Sequence, residues 1–523
     1  MKKILSSNIF FLFILFIICF AIYGKAINFD LTHLDDDILT AKNINYISDY
    51  RNIPKIFKTD CYYGSRSNYY RPILGLSFSL ETIFFKYNKK VYHTTNIILF
   101  VLALFVIFIF LKLLNCNSTI LKFFIVLCAV HPVLASVPAW LPARNDSLLT
   151  IFIISSFIFF LEYLSSKKIS HLFFYLFFYT LSIFTKETAL PMIIIFPMIV
   201  LGMERRRDES RYKLFNLIAL ITIILFYFFM RNNSSTLKAS FLSYLSSCWL
   251  YFENVIIGTM NYFRYIFFPN HIPIMLYDVS LDTYAILINL VILSVLIVIF
   301  YKKIISRKII LFSTVFFFIS IFATFLQQEY VLLFHRLILA IPAALLILTI
   351  LTEKLLLFYP SAKKYLILIF ISIFTIYAHI SFNQIDKYKN GLNFWHYAYV
   401  DASNYHDVHN GLGYEYMLLG RYEQAHIFFQ KAVEIKNDFD HNLNFAGCLI
   451  MQNKLDDALK ILLKLEKREE NFTVLRYLSE IYFILGENDK AVEYGKRAYA
   501  LDKDNPMIEK VYLKIKSLQG NDL

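Results

Sequence analysis

Long apolar runs separated by short polar turns fill the first 382 residues. They lie at 9–23, 93–113, 120–138, 147–164, 170–185, 188–203, 214–230, 283–301, 309–326, 334–352 and 365–382. Each approaches the about 20 mostly apolar residues that a bilayer-spanning helix needs, so eleven spans are expected. The first run follows Lys2 and Lys3 and has no small-x-small cleavage site before Lys25, which predicts an uncleaved anchor. Beyond residue 405 the pattern changes to a repeat of 33 residues, marked by Ala425, Ala458 and Ala491.

The turns set an orientation. With the N-terminus inside, Lys112 and Lys122, Lys167-Lys168, Arg205-Arg206-Arg207, Lys302-Lys303 with Arg307-Lys308, and Lys363-Lys364 all fall on the inner side, as the positive-inside bias requires. The stretch 231–282 must then begin and end outside. Its apolar part near 248–268 is expected to be re-entrant or surface-lying. An odd number of crossings delivers the C-terminal region to the outer side, periplasm or lumen. The outer elements are the large loop 25–92, the loop 131–146, the Thr185-Lys186-Glu187 turn, the 231–282 segment and the turn near 327–336.

Composition sharpens this reading. Of 523 residues, 58% are hydrophobic and only 17% charged, against about 45–50% and 25% for an ordinary soluble domain. A cytosolic globular enzyme, a disordered chain and a collagen-like fibre are excluded. The net charge of +13 is not a nucleic-acid signature, because from Asn383 onward 18 Lys and Arg face 21 Asp and Glu. The basic excess sits in the turns between apolar runs, at the bilayer surface. None of the six cysteines, Cys19, Cys61, Cys116, Cys128, Cys248 and Cys448, forms a C-x-x-C pair. A zinc framework or disulfide scaffold is therefore not expected.

The 33-residue units resemble tetratricopeptide repeats, whose period is 34. The first carries Leu412-Gly413, Tyr416, Gly420, Phe429 and Ala432. The second carries Phe445-Ala446, Leu449, Asn453, Leu462 and Leu465, and the third Leu478-Ser479, Tyr482, Gly486, Gly495 and Ala498, with Pro506 after it. The expected architecture is thus all-α: a membrane helix bundle over 1–382, a connector 383–405, three repeats forming an α-solenoid over 406–506, and a C-terminal cap 507–523. A solenoid offers a concave face to an extended peptide, or braces the membrane unit.

Polar groups near hydrocarbon carry the candidate chemistry. Asp35-Asp36-Asp37 lie a dozen residues past the first run, where crowding and desolvation raise a carboxyl pKa and suit it to general-base work. A solvated acidic turn or a helix N-cap explains the same three residues. Tyr69-Tyr70-Arg71-Pro72 precedes an amphipathic run bearing Glu81. The loop from His131 to Asp146 contains three prolines, Trp140 and Arg144. Lys186-Glu187 and His335-Arg336 fall at run ends. Charges so close to lipid are costly unless paired or facing a polar cavity, and one shared outer cavity accounts for all of them.

In this order, with Tyr92-His93 and Asn96 between the Arg71 and His131 motifs, these residues resemble the transmembrane and tetratricopeptide-repeat O-mannosyltransferases and their bacterial relatives, within the GT-C superfamily. The resemblance implies an inverting glycosyltransferase that moves a sugar from a polyprenyl-phosphate donor to a hydroxyl, on protein or glycan, at the outer side. It implies Asp36 or Asp37 as base, and Arg71, Arg144, Lys186 and Arg336 as holders of the lipid phosphate. Asp35, Tyr70, His93, His131, Asp146, Glu187 and His335 would support them. Ser136 stands where relatives often carry a Glu, and Phe100 where they often carry a His. No metal-ligand spacing is evident, so no cofactor is assigned and a divalent cation stays open. The alternative is a non-catalytic, membrane-anchored repeat scaffold. A transporter would need paired internal repeats, which the sequence lacks.

Overall fold

The computed structural model describes residues 8–63, 67–202, 210–234, 252–277, 283–322 and 332–501. Arg205–Arg207, Cys248 with most of the 231–252 stretch, part of the turn near 327–336, Pro506 and the 507–523 cap lie outside the described residues. The chain divides into two compact units, Met1–Phe394 and Trp395–Leu523. All described regular elements are helical apart from one antiparallel bridge, Leu276 with Leu332. The five described cysteines are free and buried.

In the first unit the apolar runs become helices because they are rich in Leu, Ile and Phe and carry few internal helix breakers. Their ends are chemically marked. Asn88 and Asn117 cap the Lys89–Leu113 and Ser118–Ala129 helices by accepting amide hydrogens of the first turn, which leaves fewer orphan donors there. Lys167, at φ 56°, closes the Arg144–Ser166 helix and reverses the chain into Ile169–Thr185. That hairpin is tied by Ser156 Oγ donating to Tyr175 O at 2.8 Å and by the stacked Phe159 and Phe178 rings.

Among the described residues six helices are long and apolar enough to cross a membrane, or seven if one bent pair counts as a span. The expectation of eleven is corrected. The run 120–138 breaks at His131-Pro132, where the helices Ser118–Ala129 and Pro132–Ala139 meet at 57°, because Pro132 has no amide hydrogen to continue the ladder. The run 188–203 begins with the turns Glu187–Ala189 and Pro191–Ile194 before its Ile195–Gly202 helix. Ile169–Thr185 has 17 residues, about 25 Å at 1.5 Å per residue, short of the about 30 Å hydrocarbon core. The apolar stretch near 248–268 appears as the 16-residue helix Phe252–Phe267.

The long helices differ in what they face. Lys89–Leu113 and Arg144–Ser166 are mostly buried, whereas Thr283–Tyr301 leaves Leu287, Leu290, Val291 and Leu293 exposed and Ala362–Gln384 leaves Leu368, Ile369 and Ile376 exposed. Helices apolar on all sides belong in a large core or in lipid. The loop 25–92 is compact, built of the short turns Asp36–Leu39, Ile44–Ile47 and Ile53–Ile56 and the helix Pro72–Phe85.

The second unit holds three helical hairpins, His406–Leu418 with Tyr422–Ile435, Phe439–Met451 with Leu455–Glu466, and Phe472–Ile484 with Asn488–Leu501. Gly420, Asn453 and Gly486, spaced by 33, all take left-handed backbone. In each hairpin the next amide reaches back five residues, as Arg421 N to Tyr416 O, Lys454 N to Leu449 O and Glu487 N to Tyr482 O, each at 2.9 Å. This closure needs a residue that tolerates positive φ. Ala425, Ala458 and Ala491 are fully buried, where larger side chains would separate the paired helices.

Gly413 is tight. A Cβ there would meet ring carbons of Phe429 at 2.8–2.9 Å. Gly413→Val should destabilise the repeat unit by about 1–3 kcal/mol, read as earlier protease cleavage within 406–435 on heating the full chain.

Candidate functional site

The acidic triplet opens a single helical turn, Asp36–Leu39, and its three carboxylates have three fates. Asp36 is 1% exposed. Its Oδ2 accepts from the Thr32 amide at 2.7 Å and from Thr32 Oγ1 at 3.0 Å, and Thr32 Oγ1 accepts from Trp140 Nε1 at 3.0 Å. Its Oδ1 is sealed from solvent and has no partner among the described residues. Burial, aided by the neighbouring Asp37 charge and opposed by the Thr32 bonds, pushes this carboxyl up to about 7. Asp37, 3% exposed, pairs with Lys42 at 2.6 Å and accepts from the Ile38 amide at 2.8 Å.

Asp35 is partly exposed. Tyr62 bonds it and the Arg71 charge reaches it, both favouring ionisation, yet burial and the Asp37 charge hold its pKa above the ordinary carboxylate value.

Arg71 caps the Pro72–Phe85 helix, where Pro72 fixes the entry. Its Nε donates to Glu187 Oε2 at 3.0 Å, while Glu187 Oε1 accepts from the Tyr70 amide at 3.1 Å. With its side-chain amide turned so that oxygen and nitrogen suit their neighbours, Asn145 accepts from Arg71 Nη1 at 3.2 Å and donates to Thr185 O at 2.8 Å. One residue before Glu187, Lys186 donates to both oxygens of Asp146 at 2.7 and 2.8 Å. His335 Nε2 lies 3.6 Å from the same carboxylate, and its ring is 5.3 Å from Trp140. Lys186 and His335 are both buried.

Arg336 completes the group. Its charge acts on Lys186, Asp146 and His335, yet it has no hydrogen-bond or ion-pair partner among the described residues, and its Nε is sealed from water. Burial, followed by the Lys186, Arg336 and Arg71 charges and against Asp146, pushes His335 down to about 3, so it is neutral at pH 7. Arg71, Lys186 and Arg336 share this region with Asp146 and Glu187, and the Arg71 charge also reaches Asp35. A guanidinium without a partner among the described residues can take up an anion with planar oxygens.

Arg144 stands apart from this group. It is 0% exposed and donates to Asn96 Oδ1 at 2.8 Å, Glu81 Oε2 at 2.9 Å, Tyr92 O at 2.9 Å and Ser77 Oγ at 3.4 Å, with Phe78 under its plane at 4.0 Å. Expected to hold the lipid phosphate, Arg144 here has its fork occupied by these acceptors, and it ties the Pro72–Phe85 and Lys89–Leu113 helices to its own. His131 is likewise a strut, accepting from the Val133 amide and bonding Ile266 O at 3.0 Å. His93 is buried edge-on against Phe29. Tyr70 is buried with its hydroxyl on Phe57 O at 2.8 Å.

The structure therefore gathers Asp146, Lys186, Glu187, His335 and Arg336 with Arg71, places Asp35 within reach of the Arg71 charge, and joins Asp36 to His335 through Thr32 and Trp140. Sequence reasoning missed Thr32, Tyr62 and Asn145 as participants. Hydroxyl and amide groups carry no period or charge that would single them out.

Among known families, residues 406–439 match Tetratricopeptide repeat, a helical repeat that generally mediates protein–protein contacts. The match covers the first hairpin and the start of the second. No curated protein matches the chain.

Two outcomes follow. Arg144→Met strands a mostly enclosed Glu81 carboxylate and should cost about 3–5 kcal/mol, a large loss of thermal stability in detergent, whereas Arg336→Gln should stay within about 0.5 kcal/mol because it breaks no pair among the described residues. The Asp36 carboxyl titrates near 7 folded and near 4 unfolded. Between those values the native state holds the proton that the unfolded chain releases, so this group lowers stability as pH rises from about 4 to 7. Denaturation across that window should show Asp36→Asn losing this part of the slope.

Proposed function

We propose that this chain is an inverting, polyprenyl-phosphate-sugar-dependent glycosyltransferase acting on a hydroxyl, of protein or glycan, at the outer face of a membrane. One observation carries the reading: the guanidinium of Arg336, without a hydrogen-bond or ion-pair partner among the described residues, acts on the Lys186–Asp146 pair, and the Arg71 charge reaches Asp35 of the acidic triplet. The bare apolar faces of Thr283–Tyr301 and Ala362–Gln384 support a lipid setting, where such a donor resides.

In this reading Asp35, rather than Asp36 or Asp37, takes the acceptor proton, because it is the partly exposed member of the triplet. The acceptor oxygen then attacks the anomeric carbon in line, the bond from that carbon to the phosphate oxygen breaks, and the departing lipid phosphate gains negative charge. Arg336, with Arg71 and Lys186 near it, meets that charge as it develops, which is where fixed cations lower a barrier. Asp36 holds the loop through Thr32 and Trp140. The repeat unit recruits a protein acceptor.

The second reading, a repeat scaffold without turnover, draws support from the closed pairs Arg144–Glu81 and Lys186–Asp146. Mass spectrometry of outer-side glycoproteins from cells with and without the protein separates the two. Sugar-bearing Ser and Thr peptides should depend on it. Asp35→Asn should reduce them by about 10²-fold or more, and Arg336→Gln by about tenfold or more. Full glycosylation by both variants, inserted at wild-type level, defeats the enzyme reading. With a soluble acceptor, transfer should fall as pH drops through a midpoint above the usual carboxylate value of about 4, because Asp35 must be ionised to act.

A further inference from the structure

The first two hairpins of the repeat unit bring together three metal-ligating side chains that the glycosyltransferase reading does not use. His406 opens the His406–Leu418 helix, with Asp407 next to it. His441 lies in the first turn of Phe439–Met451, one repeat further along. His406 Nδ1 and His441 Nε2 converge on a single oxygen, Asp407 Oδ1, at 3.1 and 3.4 Å, and one donor atom from each residue lies within 4.8 Å of the others.

Those separations are informative. A tetrahedral ion with bonds of about 2.0–2.1 Å holds its ligand atoms about 3.3–3.4 Å apart, close to both measured edges. The second shell is also in place. His441 Nδ1 bonds Lys436 O at 3.2 Å and lies 2.8 Å from Asp438 Oδ1, which fixes the ring and turns Nε2 toward Asp407, the kind of outer contact that orients metal-bound imidazoles. Asp438 is held by accepting from the His441 amide at 3.0 Å. Both imidazoles are buried, while the Asp407 side chain is 44% exposed, so an ion has an entry on the carboxylate side.

We infer that His406, Asp407 and His441 form a binding site for a borderline divalent transition metal of the Zn²⁺ class, stapling the first repeat to the second. Two imidazoles select against Mg²⁺ and Ca²⁺, which prefer all-oxygen shells. Three protein donors leave the fourth tetrahedral position to water or to a donor from a bound peptide.

The test uses the full-length protein in detergent, freed of any affinity tag and stripped with chelator, then titrated with Zn²⁺ and with Co²⁺. The expected result is one equivalent of Zn²⁺ bound at micromolar Kd or tighter, and visible Co²⁺ absorption of tetrahedral strength. His406→Asn and His441→Asn should each weaken binding at least tenfold, and Asp438→Asn about 10–100-fold. His426→Asn, outside the cluster, should leave it unchanged. The site is overturned if folded wild-type protein gives no tetrahedral Co²⁺ band, or if Zn²⁺ binding persists at full strength in folded His441→Asn. The Co²⁺ measurement on wild type needs no variant to fold.

Discussion

A guanidinium shut away from water persists only if other segments bring it acceptors, and Arg144 shows how strongly this constrains the first unit. Its acceptors come from residues 48 to 67 positions away, Asn96, Tyr92, Glu81 and Ser77. Three helices must sit in one register for all of them to reach it. Most of the gain is avoided cost, since one missing acceptor would leave a charge in an apolar interior. The fixed register positions Pro72–Phe85, and with it Arg71, against the start of the Arg144–Ser166 helix, where Asn145 and Asp146 follow directly.

The same rule, applied beside Arg144, yields a different balance. Lys186 is matched by Asp146 and Arg71 by Glu187, but among the described residues Arg336 has no such partner. A saturated charge holds a fold together, whereas an unsaturated one near it is available for a ligand. The acidic triplet divides in the same way, with Asp36 and Asp37 tied to Thr32 and Lys42 and Asp35 left partly open. Function in this reading resides in the residues that the packing did not neutralise.

The repeat unit obeys a simpler logic. Small residues at fixed offsets let paired helices approach, and a left-handed residue closes each hairpin, so the 33-residue period sets the packing almost directly. Its one unusual feature arises where hairpins stack: Asp407 and His441, 34 positions apart, meet across the hairpin boundary.

Local pattern was enough to foresee an all-helical chain, its apolar segments and the repeats, because helix formation and hairpin closure depend on neighbours within a few residues. Gly420, Asn453 and Gly486 could be read as turn residues by their spacing alone. The number of spans could not be read this way. Hydropathy does not show where Pro132 bends a run or where Pro191 delays a helix, and it counted eleven where six or seven among the described residues are long enough. For the site, charged residues near lipid were visible as a group, but their separate roles were not. Only tertiary structure decided that Arg144 is enclosed and that Arg336 is unmatched among the described residues, that Asp36 is sealed and Asp35 is not, and that two histidines share one aspartate. The acceptors of Arg144 lie 48 to 67 positions away and His441 lies 34 from Asp407, and sequence pattern carries no information about which distant groups will meet.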